Sequence, residues 1–157
     1  MKILVVEDSA TLRATMKSHI TAIGHRPYFA SSGEEALQVV GTGGYDLIIM
    51  DVEMPGLDGF ETTRLIREIL GDAWVPIIFV TSHTDDSSVL AGIEAGGDDY
   101  LVKPLTQAFL EAKLKALQRI AEMQKQLSRL NEELAELSDR DGLTRLYNRR
   151  AFNARAS

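Results

Sequence analysis

Short apolar runs alternate with amphipathic stretches along most of this chain. Lys2–Val6, Pro27–Ala30, Leu47–Met50, Val75–Val80 and Asp99–Val102 read as five strands. Leu47 to Met50 is unbroken by polar residues and bounded by turn chemistry, the mark of a strand buried on both faces. Pro27 places the second strand at an edge or at a strand start, because proline cannot donate to a ladder. Between the runs the period changes. Leu12, Met16, Ile20 and Ile23 recur on one helical face, with Ser9 as the capping residue and Gly24 as the stop. Ser32-Gly33-Glu34-Glu35 is a capping box for a second helix carrying Ala36, Leu37 and Val40. Gly59–Leu70 forms a third helix, Ser87–Ala95 a short and weakly apolar fourth, and a fifth starts near Leu105. Five alternations of strand and helix predict an α/β domain: a parallel sheet, helices on both faces, right-handed crossovers.

The fifth helix outruns the domain it begins in. No proline or glycine interrupts the chain from Leu105 to Leu137. At about 1.5 Å per residue that length reaches on the order of 50 Å, roughly twice the width of the domain. Ile120, Met123, Leu127, Leu130, Leu134 and Leu137 alternate in steps of three and four. That is an a/d seam, and it predicts a parallel two-stranded coiled coil, hence a homodimer through residues 120–137. The flanking positions are mostly Gln, Asn and Glu, so charge pairing fixes the register only weakly.

Composition narrows the class. The 157 residues suffice for one domain with a real core plus an appendage. A formal net charge of −6 argues against a nucleic-acid surface over the whole protein. With no cysteine, nothing points to disulfides or a zinc–thiolate site. The apolar start, Ile3 to Val6, is too short for a signal-peptide core and no later run could span a bilayer, so a cytoplasmic protein is expected.

The chemistry sits where strands end. Glu7 and Asp8, Asp51, Thr81 and Lys103 each follow or close an apolar run. Behind Asp51, Pro55, Gly56 and Gly59 force a loop. Ligands of open α/β sheets bind in the crevice at the carboxyl ends of the strands. If the first strand lies beside the third, Asp8 and Asp51 flank the point where the strand order reverses. Carboxylates that close repel strongly without a cation. Hard oxygen donors of this kind suit Mg²⁺. Lys103 adds a point charge for a phosphoryl oxygen and Thr81 a hydroxyl, which leaves Asp51 as the candidate nucleophile.

Together these pieces resemble the receiver domain of two-component response regulators. The matching motifs are Val5-Val6-Glu7-Asp8, Asp51 with Met54-Pro55-Gly56 and Asp58-Gly59, Thr81-Ser82, and Tyr100-Leu-Val-Lys103-Pro104, over roughly residues 1–118. The resemblance implies a flavodoxin-like, doubly wound sheet in the order 2-1-3-4-5. It implies that Asp51 takes a phosphoryl group from a sensor histidine kinase or a small acyl phosphate, with Thr81 and Lys103 holding its oxygens. Asp8, Asp51 and the backbone carbonyl of Glu53 would hold Mg²⁺, Glu7 acting through water. The Lys103–Pro104 peptide is expected to be cis, and Tyr100 to change rotamer as Thr81 moves. Glu53 and His83 flank the path of an attacking water and are candidates for setting the lifetime of the phosphate. The face of the fourth helix, fifth strand and fifth helix is a second candidate dimer contact. Two rival readings are a stand-alone adaptor that uses the stalk only to dimerise and an aspartate-nucleophile phosphatase, the latter a true hydrolase. The phosphatase is disfavoured because the acid expected two residues after the nucleophile is Glu53 and the nucleophile would be on the wrong strand.

A second resemblance follows the seam. Asp141-Gly-Leu-Thr-Arg-Leu-Tyr-Asn-Arg-Arg-Ala-Phe152 is similar to the opening segment of diguanylate cyclase (GGDEF) domains. The metal-binding and Gly-Gly-Asp/Glu-Glu-Phe parts of such a domain are absent, so this chain is expected to make no cyclic di-GMP itself. The expected organisation is a receiver over 1–118, a stalk over 119–138, and the truncated, disordered start of a cyclase domain over 139–157.

Overall fold

The computed structural model describes residues 1–82 and 85–142, with side chains to residue 137. The chain divides into two compact units, Met1–Leu117 and a second beginning at Gln118. In the first, β1 (Lys2–Val6), β2 (Arg26–Ala30), β3 (Leu47–Asp51), β4 (Ile77–Thr81) and β5 (Asp99–Val102) form one parallel sheet in the order β2-β1-β3-β4-β5. The helices are α1 (Ala10–Ile23), α2 (Gly33–Gly43), α3 (Gly59–Leu70), α4 (Asp86–Ala95) and α5 (Gln107–Gly142), the last belonging to both units.

Strand period two splits the core into two layers. Ile3, Val5, Ile49, Ile78 and Val80 face α1 and α5, where Met16, Ile20, Leu110, Leu114 and Leu117 meet them. Leu4, Val6, Ile48, Met50 and Phe79 face the other way, onto Ala36, Val40, Ile66 and Ala95. Most of these side chains are fully buried, each contributing about 1.5–3 kcal/mol of transfer free energy.

The doubly wound sheet is the expected one, with small shifts at element ends. β4 begins two residues later than the apolar run, because Pro76 has no N–H for the ladder; its carbonyl instead accepts from Ile48 N at 2.9 Å. α4 starts at Asp86 rather than Ser87, since Asp85 is its cap and accepts from Ser88 N. α5 starts at Gln107 rather than near Leu105, the Thr106 hydroxyl accepting from Phe109 N at 3.2 Å. Ser9, Ser32 and Asp58 cap α1, α2 and α3.

In the second unit Ile120, Met123, Leu127, Leu130, Leu134 and Leu137 are all exposed, from 40% at Ile120 to 62% at Leu134. No helix among the described residues is long and apolar enough to cross a membrane. α5 continues as helix to Gly142, four residues into the stretch from Asp139 expected to be disordered; His83 and residues 143–157 lie outside the described residues.

Candidate functional site

Register brings the strand ends together. Val6 lies opposite Met50, so Glu7 is level with Asp51 across the β1–β3 pair. Asp51 pairs with Val80, and Thr81 with Val102, which sets Thr81 and Lys103 one step further along the same sheet edge. Backbone bonds continue this order past the strands: Glu7 N donates to Ala30 O at 3.0 Å, Val52 N to Val80 O at 3.1 Å, and Lys103 N to Thr81 O at 2.9 Å. The loop after Asp51 folds tightly back. A Cβ on Gly59 would run into the Asp51 carbonyl oxygen, so only glycine fits there.

The charges converge in the crevice so made. Asp51 is 2% exposed, and its Oδ1 accepts from Lys103 Nζ at 3.0 Å and from Glu53 N at 3.2 Å. Glu7, Asp8 and Asp51 each offer a carboxylate oxygen, all within 4.8 Å of one another. Glu7 and Asp51 are buried and Asp8 is exposed, so the cluster opens toward solvent at one corner. Burial pushes the Glu7 carboxyl up to about 7, the neighbouring Asp51 and Asp8 adding to the rise and the Ser9 amide opposing it. Burial alone would lower the Lys103 ammonium; its hydrogen bond to Asp51, with the charges of Asp51, Glu7 and Glu53, more than offsets this and raises it. Three clustered acids with one lysine are under-compensated. Such an oxygen-only set fits a hard divalent cation of the Mg²⁺ type, which takes one or two carboxylates and keeps several waters.

Around this centre the sequence candidates fall as follows. Thr81 closes β4, 1% exposed. The Lys103–Pro104 peptide is cis. Tyr100 packs on Phe79 with ring centroids 5.5 Å apart, and its hydroxyl donates toward the backbone carbonyls of Ser88 at 2.8 Å and Val89 at 3.1 Å in α4. Gly92 makes room for that hydroxyl; a Cβ there would fall on it. Glu53 sits beside Asp51, its Oε1 3.5 Å from Lys103 Nζ.

Two contributors went unread in the sequence. Arg13 Nη1 donates to Glu7 O at 2.8 Å, clamping the acidic loop from the first turn of α1; a lone arginine on a helix face gave no signal. Ser82 N donates to Glu53 Oε2 at 3.3 Å, and a backbone amide leaves no mark in a sequence at all. Beneath the acids lies a cavity of about 240 Å³, walled by Leu12, Met16 and Leu105 and bounded by Glu7, Asp51 and Lys103.

Fold and crevice together define a doubly wound α/β domain with an acidic, lysine-bearing pocket at its topological switch point. The chain belongs to the response regulator receiver domain family, which matches residues 3–115. It is 40% identical over 120 residues to the transcriptional regulatory protein AfsQ1 of Streptomyces coelicolor, a match covering 76% of this chain and 52% of that protein. The chain thus spans about half the length of the curated relatives it matches. Among solved structures it resembles chemotaxis protein CheY4 of Vibrio cholerae (TM-score 0.68, 33% identity, 75% of this chain and 96% of that one). It also resembles the receiver domain of sensor histidine kinase PA1611 from Pseudomonas aeruginosa (TM-score 0.64, 32% identity, 78% and 94% covered), solved with a magnesium ion in its active-site cleft. Receiver domains are phosphorylated on an aspartate by histidine kinases and act as regulators rather than enzymes.

Proposed function

We propose that Asp51 is the phosphoacceptor and that the chain is the input module of a protein whose output is a diguanylate cyclase. The observation that carries the first part is the 3.0 Å contact of Lys103 Nζ with a buried Asp51 inside a three-carboxylate cluster. An Asp51 carboxylate oxygen attacks the phosphorus of a phosphohistidine on a sensor kinase, or of a small acyl phosphate. The new O–P bond forms as the P–N or P–O bond to the donor breaks, and the leaving group takes its proton from solvent. Asp8, Asp51 and the Glu53 carbonyl are the groups to hold Mg²⁺, with Glu7 through water; the ion supplies neutralisation of the clustered charge. Lys103 and Thr81 bind phosphoryl oxygens. Thr81 moves toward them and Tyr100 follows, releasing its hold on α4, a local event that biases a two-state surface. Glu53 and His83 set how fast water removes the group.

The output half rests on residues beyond the receiver. Residues 1–118 are the receiver, 119–138 a stalk, and 139–157 the start of a GGDEF domain. The exposed Ile120–Leu137 stripe pairs with the same stripe of a second copy, with the α4–β5–α5 face as a further contact. A dimer is what a cyclase needs, since a product of two GTP molecules requires two facing sites. On this reading the chain is cytoplasmic and touches neither membrane nor nucleic acid, in contrast to relatives named as transcriptional regulators. Its own acidic balance, −6 overall, supports that.

Mass spectrometry after acetyl phosphate and Mg²⁺ tests the acceptor: one phosphoryl group on the native chain and none on Asp51→Asn. Labelling that persists in Asp51→Asn overturns it. Light scattering tests the stalk, with a dimer for the native chain and a monomer for Leu127→Lys; a native monomer at high concentration overturns that part.

A further inference from the structure

Glu53 has a proposed role through its backbone carbonyl and an influence on water. Its side chain does something more definite. Among the described residues the carboxylate reaches across the mouth of the crevice to Lys103 Nζ, 3.5 Å from Oε1, to the Ser82 hydroxyl, which donates to Oε1 at 3.4 Å, and to the Ser82 backbone N–H, which donates to Oε2 at 3.3 Å. The Glu53 side chain is about one third exposed and that of Lys103 about one fifth, so the contact lies at the rim. Lys103 is also the partner of Asp51. One ammonium therefore lies between the candidate nucleophile and a second, neighbouring anion.

A phosphoryl group on Asp51 brings up to two negative charges and three oxygens to this spot. Donors at this edge of the sheet include the Lys103 ammonium, 3.0 Å from Asp51 Oδ1, and the first backbone amide after β4, that of Ser82. Both already face an anion. We propose that the Glu53 carboxylate is an internal competitor for the phosphoryl-oxygen site: it occupies Lys103 and the Ser82 amide in the unphosphorylated chain and has to leave them when Asp51 is modified. This deepens the phosphoacceptor reading and rests on it.

The occupancy has two consequences. With Glu53 in place, Lys103 and the Ser82 amide are satisfied and the loop after β4 is tied to the loop after β3. Modification of Asp51 puts two anions in competition for the same donors, and like charges this close repel. Glu53 swings out, which frees the Ser82 loop from its tether just as Thr81 is drawn toward the phosphoryl group. The competitor thus raises the concentration of donor needed to charge Asp51 and makes loop release part of the same event.

Beryllofluoride, which occupies a carboxylate as a phosphoryl group would, is the probe. Its binding to the full chain in saturating Mg²⁺ is followed by fluorine NMR for the native protein, Glu53→Gln, Glu53→Ala and Asp51→Asn. Losing one charge-assisted competitor at a partly exposed site is worth roughly tenfold in affinity. Glu53→Gln and Glu53→Ala are expected to bind about tenfold more tightly than the native chain. Mg²⁺ is brought to saturation separately for each chain, because the Glu53 backbone carbonyl is a proposed ligand, so the comparison reads beryllofluoride affinity alone. Equal beryllofluoride affinity in native and variant chains overturns the competitor. If neither the native chain nor Glu53→Gln binds beryllofluoride, the phosphoacceptor reading has failed instead. Binding by Asp51→Asn points to the same failure.

Discussion

Replacing Glu7 by glutamine isolates the electrostatic strain of the acidic cluster. The Glu7 carboxyl is pushed from an ordinary 4.5 up to about 7, first by burial and then by Asp51 and Asp8. The sign follows from which state holds the proton. Below about pH 4.5 Glu7 is protonated in both folded and unfolded chains, and the stability tied to its neutral form is fully present. As pH rises through the window the unfolded chain loses its proton first, which favours unfolding, until the folded carboxyl also ionises near 7. Each pH step of one costs about 1.4 kcal/mol in that interval, so on the order of 3 kcal/mol disappears between about pH 4.5 and 7. For a domain of this size that is roughly 10 °C in Tm. Glu7→Gln keeps the shape and the neutrality at every pH and lacks this loss. The assay is urea unfolding of both chains in chelator from about pH 5 to pH 8, read as native minus variant. The difference should fall by about 2–3 kcal/mol and flatten above pH 7. Saturating Mg²⁺, which at the proposed site would favour ionised carboxylates, should remove the fall or reverse it. Parallel stability curves for the two chains in chelator would refute the account of a buried, strained acid.

Three other changes test separate parts of the structure. Lys103→Ala removes the cation from a buried Asp51; acyl-phosphate labelling should drop at least about 100-fold, and stability in chelator by about 1–3 kcal/mol. Arg67 ties α3 to the far end of the sheet, its guanidinium donating to Gly96 O, Val75 O and Asp98 Oδ2. Arg67→Ala should cost about 2 kcal/mol in urea unfolding by orphaning those acceptors, with Mg²⁺ affinity unchanged in a parallel titration. Gly92→Ala puts a methyl where the Tyr100 hydroxyl lies; the gain in helix propensity, about 1 kcal/mol, should be outweighed, and NMR should show Tyr100 in a new rotamer without phosphorylation.

The fold was legible because both periods were clean. β-branched runs of four or five residues became fully buried strands, and Ser9, Ser32 and Asp58 capped helices within a residue of their expected starts. The misplacements came where one local hydrogen bond, or a missing backbone N–H, decided the boundary. Pro76 delayed β4, and the Asp85 and Thr106 side chains moved the starts of α4 and α5. The site divides in the same way. Acids and a lysine at strand ends could be read, since the alternation of strands and helices puts all those ends on one edge of the sheet. The Ser82 amide, the Arg13 clamp on Glu7 O and the direction taken by Glu53 could not, because each depends on where a loop turns.

α4 is the element best suited to carry a signal away from such a site. It has 10 residues, and only Gly92 and Ala95 are buried among them, so little apolar surface holds it. α3, by contrast, buries Gly59, Thr62, Thr63 and Ile66 and is further tied by Arg67. Leu90 and Ile93 on α4 point to solvent, 59% and 60% exposed. Low-stability elements are the ones that move in switching, because shifting them sacrifices least. The Tyr100 hydroxyl is then a disproportionate part of what fixes α4, through its contacts with the Ser88 and Val89 carbonyls. Tyr100 pairs with Phe79 on β4 two residues before Thr81. On the proposed switch, a displacement of Thr81 toward charge on Asp51 would act on the strand beside Tyr100, whose hydroxyl holds α4. The helix with the smallest buried face is the one placed to respond.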